Sequence, residues 1–161
     1  ASNLNEKDFV LAIAKKLKSE FSEQQEIDLV LTRDQDHFVA VKDRKATAED
    51  ADLFISLHSQ DYHDVFGGSV VLMHSNTNLN YDRSRQIATV FHDEFNTLNE
   101  GECSLASFSS GDIIENEYWL LDNVRVPSLL IQFSLEENKE PSLNETEIVN
   151  RIARGIRIAA F

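Results

Sequence analysis

Apolar residues recur along this chain in two spacings, and the alternation of the two predicts an α/β protein. Spacings of three and four residues are typical of amphipathic helices, whereas short continuous apolar runs are typical of strands covered on both faces. Because predicted strands and helices alternate, we expect a three-layer α/β/α sandwich around a mostly parallel central sheet. The predicted helices are residues 5–21, 41–50, 81–98, 117–123 and 144–160, and the predicted strands are residues 27–32, 51–58, 69–73, 105–108 and 128–133.

The strand at residues 51–58 is the one around which the chemistry is expected to gather. It is a nearly unbroken apolar run from Leu53 to Leu57, ends on His58 and is followed by a polar loop. In open α/β sheets, ligands bind beyond the carboxyl ends of the strands. A histidine there can hold a metal or transfer a proton. The alternative is a surface imidazole at a strand end with no chemical role.

Length and charge narrow the possible functions. The 161 residues predict a single domain over positions 1–161. No window is apolar enough for a membrane helix, and no signal peptide is visible. Acidic residues outnumber basic ones 28 to 15, and the net charge of −13 argues against nucleic acid or anionic membrane as a partner. The lone cysteine, Cys103, excludes an internal disulfide and a thiolate metal cluster, and we expect it to be inert.

Several blocks in a fixed order carry a resemblance to a known family. Glu6 opens the first helix, "LTRD" follows at residues 31–34, "ADLFISLH" at 51–58 and "VPSLLIQ" at 126–132. This order resembles the zinc-dependent N-acetylmuramoyl-L-alanine amidases (the amidase type 3 catalytic domain), which trim bacterial peptidoglycan. The resemblance spans nearly the whole chain and implies the muramoyl-amidase fold, which is phosphorylase/hydrolase-like.

The resemblance also implies roles for particular residues. Glu6 and His58 match two zinc ligands of the family, and Gln132 stands where the family has its general-base glutamate. A catalytic zinc takes three protein ligands and a water whose pKa it lowers, and a carboxylate then accepts the proton of that water. We expect Arg33 and Arg44 to be structural, bonding loop carbonyls or carboxylates.

Two departures from the family pattern bear on activity. The first strand of the family and its zinc-binding histidine have no counterpart, so we expect five strands where the family has six. The second departure is Gln132, because an amide cannot act as a base near neutral pH. Its presence predicts a loss on the order of 10²–10⁴ in rate. The sequence therefore favours an amidase-like domain with impaired or lost catalysis that binds peptidoglycan or muramyl peptides.

Other interpretations remain open at this point. One is an active zinc amidase whose missing ligand lies upstream of Ala1, and another is a plain interaction or regulatory module. Glu6 is favourable at a helix start through the dipole alone, and His63 is a substitute ligand candidate. Tyr118 and Trp119 are expected in the core or groove wall rather than as a sugar-stacking platform. The substrate of the family implies an extracytoplasmic location. Histidines with no visible partner are His37, His74 and His92.

Overall fold

The computed structural model describes residues 6–60, 70–96, 110–134 and 145–160. Helices and strands both occur along the chain, as the sequence predicts for an α/β protein, but no strand lies between the first two helices. The helices are α1 (Glu6–Phe21), α2 (Val41–Ala48), α3 (Tyr81–Asn96), α4 (Trp119–Asn123) and α5 (Glu145–Ala160). The strands are β1 (Phe54–Gln60), β2 (Val70–His74), β3 (Ser110–Glu115) and β4 (Ser128–Ser134).

The four described strands form one mixed sheet in the order β1-β4-β2-β3. Strand β1 runs parallel to β4, and β2 runs parallel to β3, while β2 and β4 are antiparallel. Two of the three pairings are therefore parallel, which confirms the predicted mostly parallel sheet. The carboxyl ends of β1 and β4 lie at one edge of the sheet, together with the start of β2.

Apolar clusters cover both faces of this sheet, as a sandwich requires. On one face, α1, α3 and α5 pack against Leu129 and Ile131 of β4, which are fully buried. On the other face, the α4 residues Leu120 and Leu121 pack against Leu130. Successive strand residues point to opposite faces. The side chain of Gln132, two residues after Leu130, therefore lies on the α4 face.

The prediction of a strand at residues 27–32 is wrong, although the apolar pattern of this segment did predict which of its residues pack against the core. Exposure alternates along it, and the half-buried Ile27 and Leu29 pack against the core while Val30 is 62% exposed. The segment forms no strand, because it has no hydrogen-bonded ladder with any strand of the described sheet. An alternation of apolar and polar residues predicts which face of an extended segment is buried, but it does not predict whether a second strand lies beside that segment to pair with it.

The other strand predictions need smaller corrections. Strand β1 continues past His58 to Gln60, since Ser59 and Gln60 pair with β4. The strand predicted at 105–108 lies outside the described residues, and β3 was not predicted because its first residues read as a turn. Of the four strands predicted within the described residues, three are confirmed, and the fourth strand of the described sheet is the unpredicted β3. The predicted helices match the observed ones to within two residues wherever their ends are described.

Candidate metal centre at the edge of the sheet

Glu6 and His58 meet at the edge of the sheet despite their separation in sequence. Glu6 is the first residue of α1, and its Oε1 lies 3.3 Å from Nδ1 of His58. The same oxygen accepts a hydrogen bond of 3.1 Å from the backbone N–H of Ser59. Helix α1 is held against the sheet by buried Phe9 and Ile13, so the position of Glu6 follows from core packing.

His58 is partly withdrawn from solvent and has partners at both ring nitrogens. Its side chain is 28% exposed, and its Nε2 lies 3.3 Å from the hydroxyl of Tyr118. Burial lowers the pKa of His58 below its ordinary value, and the charge of Arg44 lowers that pKa further, although Glu6 acts in the opposite direction. The imidazole is therefore neutral at neutral pH, which is the form that binds a metal.

Gln132 stands beside His58 on the neighbouring strand. The two are register partners in the parallel pairing of β1 and β4, and Val71 of β2 is the partner of Gln132 on the other side. Gln132 is 8% exposed, so it is buried at this position. The position that the resemblance assigns to a general base is thus occupied by a buried amide between His58 and Val71.

Arg33 and Arg44 both donate to backbone carbonyls of loop or helix-start residues. Arg33 donates to the carbonyl of Lys7 over 2.7 Å and to that of Gln35 over 3.3 Å. Arg44 donates from Nε to the carbonyl of Val39 over 3.0 Å. The Arg33 contact ties the segment after residue 30 to the first turn of α1, next to Glu6.

The donor set of this centre matches two vertices of a zinc site. Carboxylate oxygen and imidazole nitrogen are ordinary zinc ligands, and two ligands on a tetrahedral zinc stand about 3.3 Å apart. The observed separation of Glu6 Oε1 and His58 Nδ1 is compatible with that edge, and it is also the length of a hydrogen bond between the two side chains. Within the described ranges, no group of three histidine, cysteine, aspartate or glutamate side chains could hold a metal ion. The pair fits a metal, and a third protein ligand has to come from elsewhere.

Two further histidines of the described residues, His74 and His92, have partners of their own away from the Glu6–His58 pair. His74 is buried at the far end of β2, with the Tyr81 ring 5.4 Å away between centroids and the Ser75 carbonyl 3.2 Å from its Nδ1. His92 lies on α3, 3.6 Å from the carboxylate of Asp93. Both histidines therefore have partners in the structure, although none was visible in the sequence. The candidate His63 and the cysteine Cys103 lie outside the described residues.

The contact of Tyr118 with His58 was not predicted from the sequence. The ring of Tyr118 meets that of His58 edge to face, with centroids 5.8 Å apart and planes at 82°. Tyr118 immediately precedes α4, so buried Leu120 and Leu121 fix its position. An aromatic residue before a short helix gives no sequence signal for a contact with a strand 60 residues away. Trp119, the next residue, is 55% exposed and therefore is not part of the core.

An α/β domain with a carboxylate–imidazole pair at the strand ends has clear relatives among known proteins. The family model for N-acetylmuramoyl-L-alanine amidases matches residues 1–160. The chain belongs to the N-acetylmuramoyl-L-alanine amidase family.

Similar structures support the same fold. The catalytic domain of CwlV, an N-acetylmuramoyl-L-alanine amidase from Bacillus (Paenibacillus) polymyxa var. colistinus, has a TM-score of 0.78 and 22% identity, with 97% of this chain and 85% of that chain covered. An N-acetylmuramoyl-L-alanine amidase from Clostridium difficile 630 has a TM-score of 0.73 and 24% identity, over 98% of this chain and 84% of that chain. These matches confirm the fold expected from the resemblance.

A curated relative matches over a shorter stretch. An endolysin of Bacillus phage SPP1 is 48% identical over 60 residues, which are 36% of this chain and 22% of the endolysin. The match therefore spans about a fifth of the endolysin's length. No helix in the described part of the chain has the length and apolar character needed to span a membrane.

Proposed function

We propose that this domain engages bacterial peptidoglycan at the amide between muramic acid and L-alanine, with hydrolysis impaired by Gln132. The observation that carries the proposal is the convergence of three side chains at one edge of the sheet. Glu6 and His58 form the donor pair, and Gln132 is the register partner of His58. The family to which the chain belongs supports this substrate.

Glu6 and His58 are the residues that hold the divalent ion in this proposal. Zinc at such a site activates a water and polarises a carbonyl. The chain supports the pair in two ways. The backbone N–H of Ser59 orients the carboxylate of Glu6, and burial together with Arg44 keeps His58 neutral. Both effects prepare the ligands before an ion arrives.

Gln132 determines how far the domain can act as an enzyme. Its amide can donate a hydrogen bond to a substrate carbonyl or accept one from a water, but it cannot take the water's proton. Loss of a general base costs on the order of 10²–10⁴ in rate. We therefore propose a domain that binds its substrate well and cleaves it slowly or not at all.

A second candidate is a working amidase, which the donor pair itself favours. Two of the three protein ligands that a catalytic zinc needs are in place at a compatible distance. In this case the third ligand lies upstream of Ala1, and another group replaces the base. This candidate would be established if the unmodified protein released peptides with an N-terminal L-alanine from peptidoglycan at the rates of active amidases of the family.

Location and partners follow from the proposed substrate. Peptidoglycan lies outside the cytoplasmic membrane, so we propose an extracytoplasmic site of action. The partner is the glycan–peptide junction of muramyl peptides. A net charge of −13 makes nucleic acid an unfavourable partner.

Binding of a minimal substrate tests the proposal. Muramyl dipeptide contains the amide in question, whereas N-acetylmuramic acid and L-alanyl-D-isoglutamine each contain one side of it. We expect saturable binding of muramyl dipeptide by NMR titration, with shifts concentrated at the ends of β1 and β4, and weaker binding of either half. Shifts at the opposite edge, around His74 and Tyr81, or no saturable binding would contradict the proposal.

A further inference from the structure

We propose that Tyr118 is a positioning residue whose hydroxyl sets the ring orientation and tautomer of His58 for metal binding. The inference rests on the proposed function, since it assigns a partner to one of the two proposed ligands. It begins from the fact that both ring nitrogens of His58 have partners. Nδ1 lies 3.3 Å from Glu6 Oε1, and Nε2 lies 3.3 Å from the Tyr118 hydroxyl.

The position of Tyr118 is fixed independently of His58. Its backbone is extended, with φ −133° and ψ 115°, and it directly precedes α4. Leu120 and Leu121 of that helix are 3% and 0% exposed and pack against the sheet face that carries Leu130. The Tyr118 side chain makes no capping bond to α4, so the helix does not compete for its hydroxyl.

The contact between the Tyr118 and His58 rings also restricts the orientation of the imidazole. The planes of the His58 and Tyr118 rings meet at 82° with centroids 5.8 Å apart, a favourable edge-to-face arrangement. A rotation of the imidazole about its bond to Cβ would break this contact and both nitrogen contacts together. His58 therefore keeps Nδ1 directed at Glu6.

The chemistry of a hydroxyl suits both protonation patterns of a neutral imidazole. In the metal-free protein the Glu6 carboxylate favours a proton on Nδ1, which leaves Nε2 to accept a hydrogen bond from Tyr118. A ligand nitrogen must be unprotonated, so in the loaded centre the proton belongs on Nε2 and is donated to the Tyr118 oxygen. A hydroxyl can donate in the first state and accept in the second, and a carboxylate or an ammonium could serve only one.

The expected effect follows from what such partners do at metal sites. Metal-binding histidines usually donate their second ring N–H to a fixed acceptor, and loss of that acceptor typically costs 10–100-fold in metal affinity. Tyr118→Phe removes the hydroxyl and retains the ring, so the edge-to-face contact survives. A role in packing alone would leave the zinc affinity of this variant unchanged.

A matched control is available at the other end of the sheet. The ring of Tyr81 also meets a histidine ring, that of His74, edge to face, and its hydroxyl donates to a carboxylate oxygen of Glu115. Tyr81→Phe therefore removes a hydrogen-bonded hydroxyl beside an imidazole, at a site that holds neither Glu6 nor His58. Its zinc affinity should equal that of the unmodified protein.

The test measures zinc affinity by competition with a chromophoric chelator, together with ¹⁵N shifts of the His58 ring in metal-free protein. We expect Tyr118→Phe to bind zinc about 10–100-fold more weakly and to shift His58 Nε2 toward the value of a nitrogen without a donor. Equal zinc affinity of Tyr118→Phe and unmodified protein would overturn the inference while leaving the proposed ligands intact. Failure of the unmodified protein to bind zinc would instead overturn the proposed metal pair, and the inference with it.

Discussion

His58 of β1 and Gln132 of β4 are register partners on parallel strands, so their side chains leave the same face of the sheet next to each other. Neighbouring strands are about 4.8 Å apart. An uncharged amide consequently stands directly beside the candidate metal ligand, in a row that continues to apolar Val71 on β2. This arrangement makes the amide of Gln132 the clearest point at which to test the chemistry of the domain.

Replacing Gln132 by glutamate should increase hydrolysis. The carboxylate can accept the proton of a water held at the neighbouring centre, so we expect Gln132→Glu to cleave muramyl peptides about 10²–10⁴-fold faster than the unmodified protein in the presence of zinc. Chromatographic measurement of the released peptide gives the rate.

Two control variants show whether the gain depends on the proposed centre. Gln132→Asn keeps an amide and should show no gain, and Gln132→Glu combined with His58→Ala should return to background. Background rates for Gln132→Glu alone would show that a missing base is not what limits hydrolysis.

Removing the charge of Glu6 should lower the pKa of His58 further. Burial and the charge of Arg44 lower this pKa, and the charge and hydrogen bond of Glu6 raise it. Glu6→Gln removes only the effects that raise it, whereas Arg44→Met removes one that lowers it. NMR titration of the His58 ring should therefore show opposite shifts in the two variants, and shifts of the same sign would refute this electrostatic picture.

The lowered pKa of His58 also determines how the free energy of unfolding changes with pH. Because the folded pKa lies below the unfolded value of about 6.5, the folded state binds fewer protons than the unfolded state. The contribution of His58 to stability is present above pH 6.5 or so and is lost as the pH falls through the folded pKa. Urea unfolding across this range should show a smaller loss in His58→Ala than in the unmodified protein.

Gly155→Ala should destabilise the fold by overpacking. A Cβ built on Gly155 of α5 lies 2.8 Å from Cε1 of Phe91 on α3, and Phe91 is fully buried. Overpacking of this kind costs about 1–3 kcal/mol, against a gain of about 1 kcal/mol from the better helix propensity of alanine.

Chemical unfolding should thus show a net loss of up to about 2 kcal/mol in Gly155→Ala. The double variant Gly155→Ala with Phe91→Leu relieves the clash and should lose less than the sum of the two single variants. A gain of about 1 kcal/mol in Gly155→Ala, the value that helix propensity alone would give, would contradict this prediction, because it would mean that the two helices accept the added methyl group without cost.

Trp119 should report binding at the centre. It is the one tryptophan of the chain, is 55% exposed and follows Tyr118, which contacts His58. A muramyl dipeptide bound at the centre should exclude water from the indole and shift its emission to shorter wavelengths. If calorimetry shows binding while the emission stays unchanged, the ligand does not reach Trp119.

The sequence predicted the helices and the layered arrangement of this fold better than it predicted which strands pair with one another. Helical periodicity located the helices, since the buried stripe of each helix is local information. Residues 27–32 show the limit, because their alternation reports a buried face, whereas a strand depends on a partner distant in sequence. The same limit explains β3, which pairs with β2 but begins with residues typical of a turn.

The candidate site was predictable only as far as the resemblance reached. It named Glu6, His58 and Gln132, and the structure brings these three together at one edge. The contact between Tyr118 and His58 could not be predicted, since it depends on how α4 packs against the sheet. Whether Glu6 and His58 bind zinc stays a prediction.

The most direct test of this account is a zinc titration followed by ¹⁵N NMR of the five histidine side chains. We predict that stoichiometric zinc moves the His58 Nδ1 resonance to the position of a metal-bound nitrogen, and that Glu6→Gln weakens this effect at least tenfold. Zinc-dependent shifts that fall on His74 or His92 while His58 stays unchanged would contradict the account.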